Sequence, residues 1–406
     1  MPTSTITGLD VGTSKVASCI GQKRETGLDI IGVGLAPCAG LRKGMVVDIE
    51  ETISAISASL EQAERMAGVP VEDAFVGIGG AHITSSNSKG VIAVSRADGE
   101  ISSEDTDRVV EAARAISMPT NREILHVIPR FYIVDGQEGI KDPVGMTGIR
   151  LEVETHVIGG STPVIKNLTK CVYQAGVEID DLVFNGLATA SAYLSKKQKE
   201  IGVVLADIGA GTTELTVFEE GTILHSAVLP VGSAHITNDI AIGLRTSIDT
   251  AEQIKLEYGL AKSERVEDEE IDLSKIDPQE ESKASLKYIA EIIEARFSEI
   301  FNLIGEELKG IGREATLPGG IILVGGGAKI DGVVDVAKET LKIPAQVGTP
   351  VIKATGMIDK LQDPVYAVSV GVLNWGFAAV EKGTGEVGGL KKATSGIKKF
   401  FKNFIP

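Results

Sequence analysis

Asp10-Val11-Gly12-Thr13-Ser14-Lys15 and Asp207-Ile208-Gly209-Ala210-Gly211-Thr212-Thr213 write one chemical pattern twice, far apart in the chain. Each has an apolar run that delivers an Asp, a Gly-containing turn with hydroxyls, and a second apolar run. A polyphosphate needs several backbone N–H groups aimed one way, and glycine lets the backbone approach with no Cβ between. The hydroxyls of Thr13, Ser14, Thr212 and Thr213 add hydrogen bonds, and the Lys15 ammonium neutralises phosphate oxygens. Asp10 and Asp207 repel phosphate. Their sensible role is to hold a Mg²⁺, directly or through the waters this ion keeps. One such hairpin is an ordinary Gly turn; two with the Asp in the same place point to two related halves closing on one nucleotide.

Two weaker groups join them. A strand over 321–324 runs into Gly325-Gly326-Gly327 and on to Lys329, placing bare backbone at a strand end, where a flat base and ribose can lie. Asp249-Thr250-Ala251-Glu252-Gln253-Ile254-Lys255 reads as a helix start with Asp249 as N-cap. Glu252 and Lys255 fall on one face, able to embrace a ribose or adenine edge; the plain alternative is a surface ion pair. The chain has no GxxxxGK[ST] motif, so a Walker-type loop is not how it holds phosphate. His82, His126, His156, His225 and His235 show no metal spacing and read as structural.

The elements that must position these residues are legible from periodicity. Strands over 5–9, 15–21 and 28–35 surround the first hairpin, and Asp48 caps a helix over 49–67 that Gly68 stops. A strand over 74–78 ends at Gly79-Gly80. The texture then changes over 83–158: two short strand runs lie around Val91–Val94, a helix follows with Ser102 and Asp105 at capping-box spacing, and further strands fall near 125–134 and 148–158; this reads as a small α/β insertion. Helices follow over 162–176 and 188–194, and a strand over 200–206 feeds the second hairpin. Residues 263–281 read as an exposed acidic loop, 283–308 and 329–341 as helices, and Pro364 opens a last helix over 365–377.

Composition bounds the class. A chain of 406 residues exceeds one core, so two or more lobes are expected. Aromatics are only 4%, which favours Val/Ile/Leu/Ala cores of helix-covered sheets. A net charge of −16 argues against nucleic acid as a partner. Cys19, Cys38 and Cys171 are isolated, which fits a reducing cytoplasm rather than a disulfide framework or zinc site. The start carries no basic-then-apolar signal segment, and no apolar run reaches the roughly 18 residues of a membrane span.

The order of hairpin, hairpin and strand-GGG resembles the actin-like ATPase superfamily, and within it the chain is similar to the bacterial cell-division FtsA family. The residues that carry this are Gly8-Leu9-Asp10-Val11-Gly12-Thr13-Ser14-Lys15-Val16, Leu125-His126-Val127-Ile128-Pro129, Gln137-Glu138-Gly139-Ile140-Lys141-Asp142-Pro143-Val144-Gly145, Phe184-Asn185-Gly186-Leu187-Ala188, Ala251-Glu252-Gln253-Ile254-Lys255 and the tail. The match covers nearly the whole chain. It implies an α/β, actin-like (ribonuclease H-like) two-lobed ATPase fold with four subdomains: 1–82 with 159–198, the relocated insertion 83–158, 199–230 with 306–380, and a small nucleotide and partner subdomain, 231–305. It implies ATP with Mg²⁺ as ligand, self-assembly into a filament, and contact with the C-terminal peptide of the tubulin-like protein FtsZ through 231–305. Other division proteins are further partners, and the place of action is the cytoplasmic face of the membrane at the division site. Two departures stand out. Ala210 replaces a common Gly, adding only a methyl, and Glu214 replaces a common Asp, which puts any metal-water role there in doubt. No catalytic base is nominated beyond Asp10 and Asp207, so any ATP turnover is expected to be slow and the main role structural.

The end of the chain has a separate logic. After a Gly-rich linker over 381–396, Ile397, Phe400, Phe401, Phe404 and Ile405 form one helical stripe, with Lys398, Lys399 and Lys402 opposite. A basic amphipathic helix on a flexible linker reads as an anchor to an anionic membrane surface. Each Lys contributes about 1 kcal/mol there, and ordering the backbone opposes this at about 1–2 kcal/mol per residue. One tail therefore binds reversibly and many tails on one polymer bind firmly. The rivals are a sugar-kinase-like phosphotransferase, which has no use for such a tail, and an actin-like pilus-assembly adaptor of the PilM type.

Overall fold

The computed structural model describes residues 5–24, 27–115, 119–267, 269–280, 282–352 and 354–382. The linker and the tail stripe lie outside these residues.

The chain opens with an antiparallel meander, β1 (Thr5–Val11), β2 (Lys15–Arg24) and β3 (Gly27–Pro37). A short hairpin, β4 (Leu41–Arg42) with β5 (Met45–Val46), leads to α1 (Ile49–Ala67) and β6 (Asp73–Ile78). Helix α1 starts where the sequence requires: the Asp48 carboxylate accepts from Glu51 N–H at 3.0 Å, and Gly68 ends it in the left-handed region. Its Ile56, Leu60 and Ala63 stripe is buried.

The insertion comes next: β7 (Thr84–Ala93), α2 (Ser103–Arg114), β8 (Arg122–Val134), β9 (Gln137–Ile140) and β10 (Arg150–Ser161). It is a four-stranded antiparallel sheet ordered β7-β10-β8-β9 with its own small core around Ile101, Val109, Tyr132 and Leu151. The Ser102–Asp105 capping box is formed. The expected pair of short strands near Val91 is instead one ten-residue strand, β7, held along its length by β10.

After α3 (Thr162–Gln174), β11 (Glu178–Phe184) and α4 (Asn185–Tyr193) the chain crosses to a second lobe. This lobe contains α5 (Lys196–Ile201), β12 (Val203–Ile208), β13 (Thr213–Glu219), β14 (Thr222–Leu229), α6 (Ser233–Leu244) and α7 (Ile248–Tyr258). It continues with the ribbon β15 (Glu270–Asp272) and β16 (Lys283–Ser285), then α8 (Leu286–Gly310), β17 (Ile321–Val324), α9 (Val333–Leu341) and β18 (Ala345–Val347). The chain then returns to the first lobe, and not to the second as the division 199–230 with 306–380 implied, with β19 (Ala354–Gly356), α10 (Ile358–Leu361) and α11 (Ala367–Lys382), since β19 pairs with β3 and α11 packs on β1.

The two large sheets repeat one plan. The first is ordered β11-β6-β1-β2-β3-β19 and the second β14-β13-β12-β17-β18. In each, three antiparallel strands are followed by two that run parallel to the first, so β1, β2 and β6 correspond to β12, β13 and β17. Helices α4 and α11 lie between the sheets, and their Leu187, Tyr193, Val368 and Leu373 share one apolar core with Leu205 and Val324 of the second lobe. Burying each such side chain stabilises by about 1.5–3 kcal/mol, which makes the join between lobes part of the core.

Four local expectations are corrected. The helix expected over 329–341 begins only at Val333, because Gly332 sits at φ 82° and separates it from a 3-10 turn over Gly326–Lys329. Asp249 is not the N-cap of α7; Ser247 is, its hydroxyl accepting from Thr250 N–H at 3.0 Å. The loop expected over 263–281 contains β15 and two 3-10 turns. Helix α11 continues to Lys382, two residues into the stretch read as linker.

Candidate functional site

Both hairpins close with the same backbone bond. Gly12 N–H donates to the Lys15 carbonyl at 2.9 Å, and Gly209 N–H donates to the Thr212 carbonyl at 2.9 Å. Asp10 and Asp207 sit one residue before the ends of β1 and β12, so both carboxylates arrive at the same edge of their sheets, and both are buried. The turns face each other closely: a Cβ on Gly211 would lie 2.8 Å from Thr13 Oγ1. Thr13 Oγ1 also accepts from Gly44 N–H at 3.0 Å.

Between them lies a cavity of about 100 Å³ lined by Asp10, Gly12, Thr13, Ser14 and Lys15 of the first hairpin and by Asp207, Gly209, Ala210, Thr212 and Glu214 of the second. Gly325 and Gly326 close one wall and Gly79 and Gly80 the other. These two glycine pairs follow β17 and β6, the corresponding strands of the two lobes. Bare backbone is required at both. A Cβ on Gly325, itself at φ 83°, would stand 2.2 Å from Asp207 Oδ1; one on Gly79 would stand 1.9 Å from Glu214 Oε1. Ligand pockets usually enclose about 300–1,000 Å³, so this cavity suits the phosphate end of a nucleotide, with the nucleoside beyond its mouth.

The charges are unevenly compensated. Lys15 Nζ lies 3.3 Å from Asp10 Oδ2 and donates to the Val365 carbonyl at 2.6 Å. Asp207 is pushed up to about 7, first by burial and then by the Asp10 carboxylate, with Lys15 opposing. Glu214 lies deeper. Burial, then Asp207 and Asp10, hold its carboxyl well above the usual range. Its Oε1 accepts from Gly80 N–H at 3.2 Å and from Asn185 Nδ2 at 3.4 Å, whereas Glu214 Oε2 and Asn185 Oδ1 are buried without a hydrogen-bond partner. Buried polar atoms cost about 1–3 kcal/mol when unsatisfied, so this corner of the cavity is built for a polar guest.

Not every residue singled out in the sequence lines the cavity. The Thr213 hydroxyl donates to the Val231 carbonyl at 2.9 Å inside the second lobe. Lys255 is buried, and its ammonium meets Glu252 Oε2 at 2.6 Å, Thr237 Oγ1 at 2.8 Å and, weakly, the Ser233 carbonyl. The pair is therefore no free surface contact; it touches the cavity only through Ser233, a lining residue. Lys329 Nζ donates to Asp363 Oδ2 at 2.7 Å beside the strand end, and Gly211, Gly327, Glu252, Lys255 and Lys329 lie outside the cavity wall. Conversely, Asn185, Gly79, Gly80, Gly44 and Val365 belong to the wall and were not singled out as ligands. Asn185 had a signal, since it opens α4 within the Phe184-Asn185-Gly186 motif. The five histidines are hydrogen-bonded structural groups, and the three cysteines are buried and unpaired.

Mg²⁺ passes a test of chemical fit. Asp10 and Asp207 face one site, and the Asp10 charge raises Asp207, a penalty a divalent cation between them would relieve. Among the described residues no three His, Cys, Asp or Glu side chains form a cage for a metal. Two carboxylates lining a phosphate-sized cavity suit an ion bound by one or two carboxylates, waters and phosphate oxygens.

Residues 204–371 match the family described as Cell division protein FtsA, and residues 80–159 match the SHS2 domain inserted in FTSA. The chain is 40% identical over 373 residues to cell division protein FtsA of Pseudomonas aeruginosa, covering 91% of this chain and 89% of the relative. It is 42% identical over 368 residues to that of Bacillus subtilis (90% and 82%) and 34% identical over 406 residues to that of Escherichia coli (98% and 96%). Among solved structures, the PilM-PilN type IV pilus biogenesis complex aligns with a TM-score of 0.68 at 17% identity, covering 93% of this chain and 99% of that one. MreB5 of Spiroplasma citri bound to ADP aligns with a TM-score of 0.52 at 16% identity (91% and 95%). At such identities the structures speak for the actin-like fold alone, including for the PilM alternative. With the sequence relatives matching along most of their length, the chain belongs to the FtsA family of actin-like cell-division proteins.

Proposed function

We propose that the protein binds ATP·Mg²⁺ in the cleft between its lobes, assembles into filaments, and ties a ring of FtsZ to the cytoplasmic membrane through its C-terminal tail. The observation that carries the nucleotide reading is the convergence of two identically bonded hairpins on one cavity holding Asp10, Asp207, Glu214 and Lys15. In that reading the backbone N–H groups of both turns bind phosphate oxygens, Lys15 offsets their charge, and Asp10 and Asp207 hold the metal. Bound Mg²⁺ would neutralise the phosphate charge and draw Asp207 into its ionised form. Burial, then Asp207 and Asp10, hold the Glu214 carboxyl well above the usual range, and its Oε1 already accepts from Gly80 N–H and Asn185 Nδ2. Its part is to orient what lies beside it together with Asn185, which fits slow turnover.

Titration of the protein with a fluorescent ATP analogue, with Mg²⁺ and with EDTA, tests the cleft. Saturable binding strengthened by Mg²⁺ is expected; no binding in either buffer ends this reading.

The partner reading draws on the second lobe. Ile242, Ile248 and Leu256 of α6 and α7 are 76%, 53% and 73% exposed, an apolar surface that suits a docked peptide within 231–305. Membrane attachment draws on the amphipathic stripe from Ile397 to Ile405. No helix among the described residues is long and apolar enough to cross a membrane. Sedimentation with anionic vesicles, comparing the full chain with one ending at Gly383, should pellet only the former; equal pelleting removes the tail as anchor.

A further inference from the structure

The inserted sheet has a hydrogen-bonded foothold on each lobe. On the first lobe, Phe184 N–H donates to His126 Nε2 at 2.9 Å, and His126 lies edge-on to Trp375 of α11 at 5.8 Å. Phe184 immediately precedes Asn185, which lines the cavity. On the second lobe, Ser226 of the edge strand β14 is clasped twice. Its hydroxyl bonds His156 Nε2 at 2.9 Å, and its carbonyl accepts from Ser85 Oγ at 2.6 Å. His156 Nδ1 meets Asn87 Oδ1 at 2.8 Å. An amide oxygen facing Nδ1 assigns the proton to that nitrogen, leaving Nε2 to accept from Ser226. His126, His156 and Ser226 are all buried, so a bond broken here finds no water in exchange.

The connectivity makes these footholds unequal. The insertion leaves the first lobe after β6 and re-enters it at α3, and at this root Ser161 N–H donates to His82 Nδ1 at 3.2 Å. Its hold on the second lobe is noncovalent, made by β7, β8 and β10 against β14 and by the exposed Lys141–Glu200 ion pair at 3.3 Å. Ser226 pairs with Thr216 of β13, two residues beyond Glu214 on the same face of that strand. One strand thus carries a cavity carboxyl and braces the clasp. Any change in the angle between lobes must either drag the insertion with it or part Ser226 from His156 and Ser85. Burial holds both imidazoles neutral, with His126 pushed down to about 4 and His156 to about 3, so the footholds do not titrate near neutrality.

We propose that the inserted sheet is a strut that reads the opening of the cleft, with His126–Phe184 as its end on the first lobe and His156–Ser226 as its end on the second. It carries that state to the outer surface of the insertion, where Ile149, Val91 and Val144 are exposed. By reciprocity, whatever grips that surface alters nucleotide affinity by the same factor. This inference rests on the nucleotide reading of the cleft.

Hydrogen exchange of the full-length protein, read by mass spectrometry with and without ATP·Mg²⁺, tests it. In the unmodified chain, ATP·Mg²⁺ should change exchange about threefold or more over 84–93 and 150–161. In Ser226→Ala, which loses the bond to His156 and keeps the carbonyl bond to Ser85, that response should fall to about half or less while ATP affinity stays within about threefold. His156→Gln, which keeps a donor and an acceptor but alters their reach, gives the same reading if Ser226→Ala melts early. A full response in both variants overturns the strut, as does an unmodified insertion that ignores bound ATP. Failure of the unmodified protein to bind ATP at all overturns the cleft reading instead, and the strut with it.

Discussion

In the first hairpin the buried Asp10 carboxylate has a cation of its own, Lys15, at 3.3 Å. In the second, the position that makes the same turn bond is Thr212, and the residue paired with Asp207 on the next strand is another carboxyl, Glu214. The two turns are equal in backbone and unequal in charge. The first offers a fixed positive group to an anion. The second offers a carboxyl pushed up to about 7 by burial and then by the Asp10 carboxylate, whose ionisation a bound cation would favour. A repeated fold element can thus keep its hydrogen bonds and divide the electrostatic work.

This contrast can be broken outright or tuned. Gly326→Arg breaks it for both hairpins, because no atom stands within 4 Å of a Cβ there and the side chain enters the shared cavity. ATP binding should fall beyond detection in equilibrium titration; unchanged affinity removes the strand-GGG from the site. Lys15→Ala deletes the first hairpin's advantage. Losing one charge-assisted contact of about 1.5–3 kcal/mol should weaken ATP about 10- to 150-fold, and calorimetry measures it.

The second hairpin is tested by pH. If Asp207 holds the metal as proposed, ATP·Mg²⁺ binding needs its ionised form, so affinity should rise up to about tenfold per pH unit below 7 and level off above it. In EDTA the sign reverses, because the same ionisation then repels phosphate. A flat profile in both buffers would deny Asp207 its role. The stability of the metal-free protein shows the linked effect. The folded pKa of Asp207 lies above its unfolded value near 3.8, so the folded state gains as pH falls from 7 towards 4 and the gain is lost as pH rises through 7. Glu214→Gln is the smallest change. It keeps an oxygen for Gly80 N–H and removes an ionisable group from a buried site, so thermal melts at pH 8 should rise by about 1 kcal/mol equivalent, a few degrees; a marked fall would mean that ionised Glu214 supports the fold.

The hairpins were legible in the sequence because their chemistry is local. A turn bond over three residues, with glycine where backbone must be bare, leaves its mark in a few adjacent letters. The capping of α1 and α2 was readable for the same reason. The places of Gly79 and Val365 in the wall were not, since they follow from packing between strands and helices distant in the chain; Val365 meets Lys15 across 350 positions, and Asn185 was marked only as part of a motif. Lys255 shows the limit from another side. Its spacing from Glu252 announced a helix-face pair, but burial and the bond to Thr237 come from α6 packing on α7. Lys329 reads as part of a helix until Gly332 breaks the run, and its partner Asp363 comes from the returning segment.

That returning segment also sets an order of manufacture. The first lobe is made from both ends of the described chain: β19 completes its sheet beside β3, and α11 packs so tightly on β1 that a Cβ on Gly8 would lie 2.4 Å from the Ser369 carbonyl. A chain emerging from the ribosome can therefore finish its second lobe while the first still lacks its last strand and the helix that seals β1. The amphipathic tail leaves only after that helix. If the tail is the membrane anchor proposed above, a molecule able to reach the membrane is one whose first lobe has just received its last structural piece.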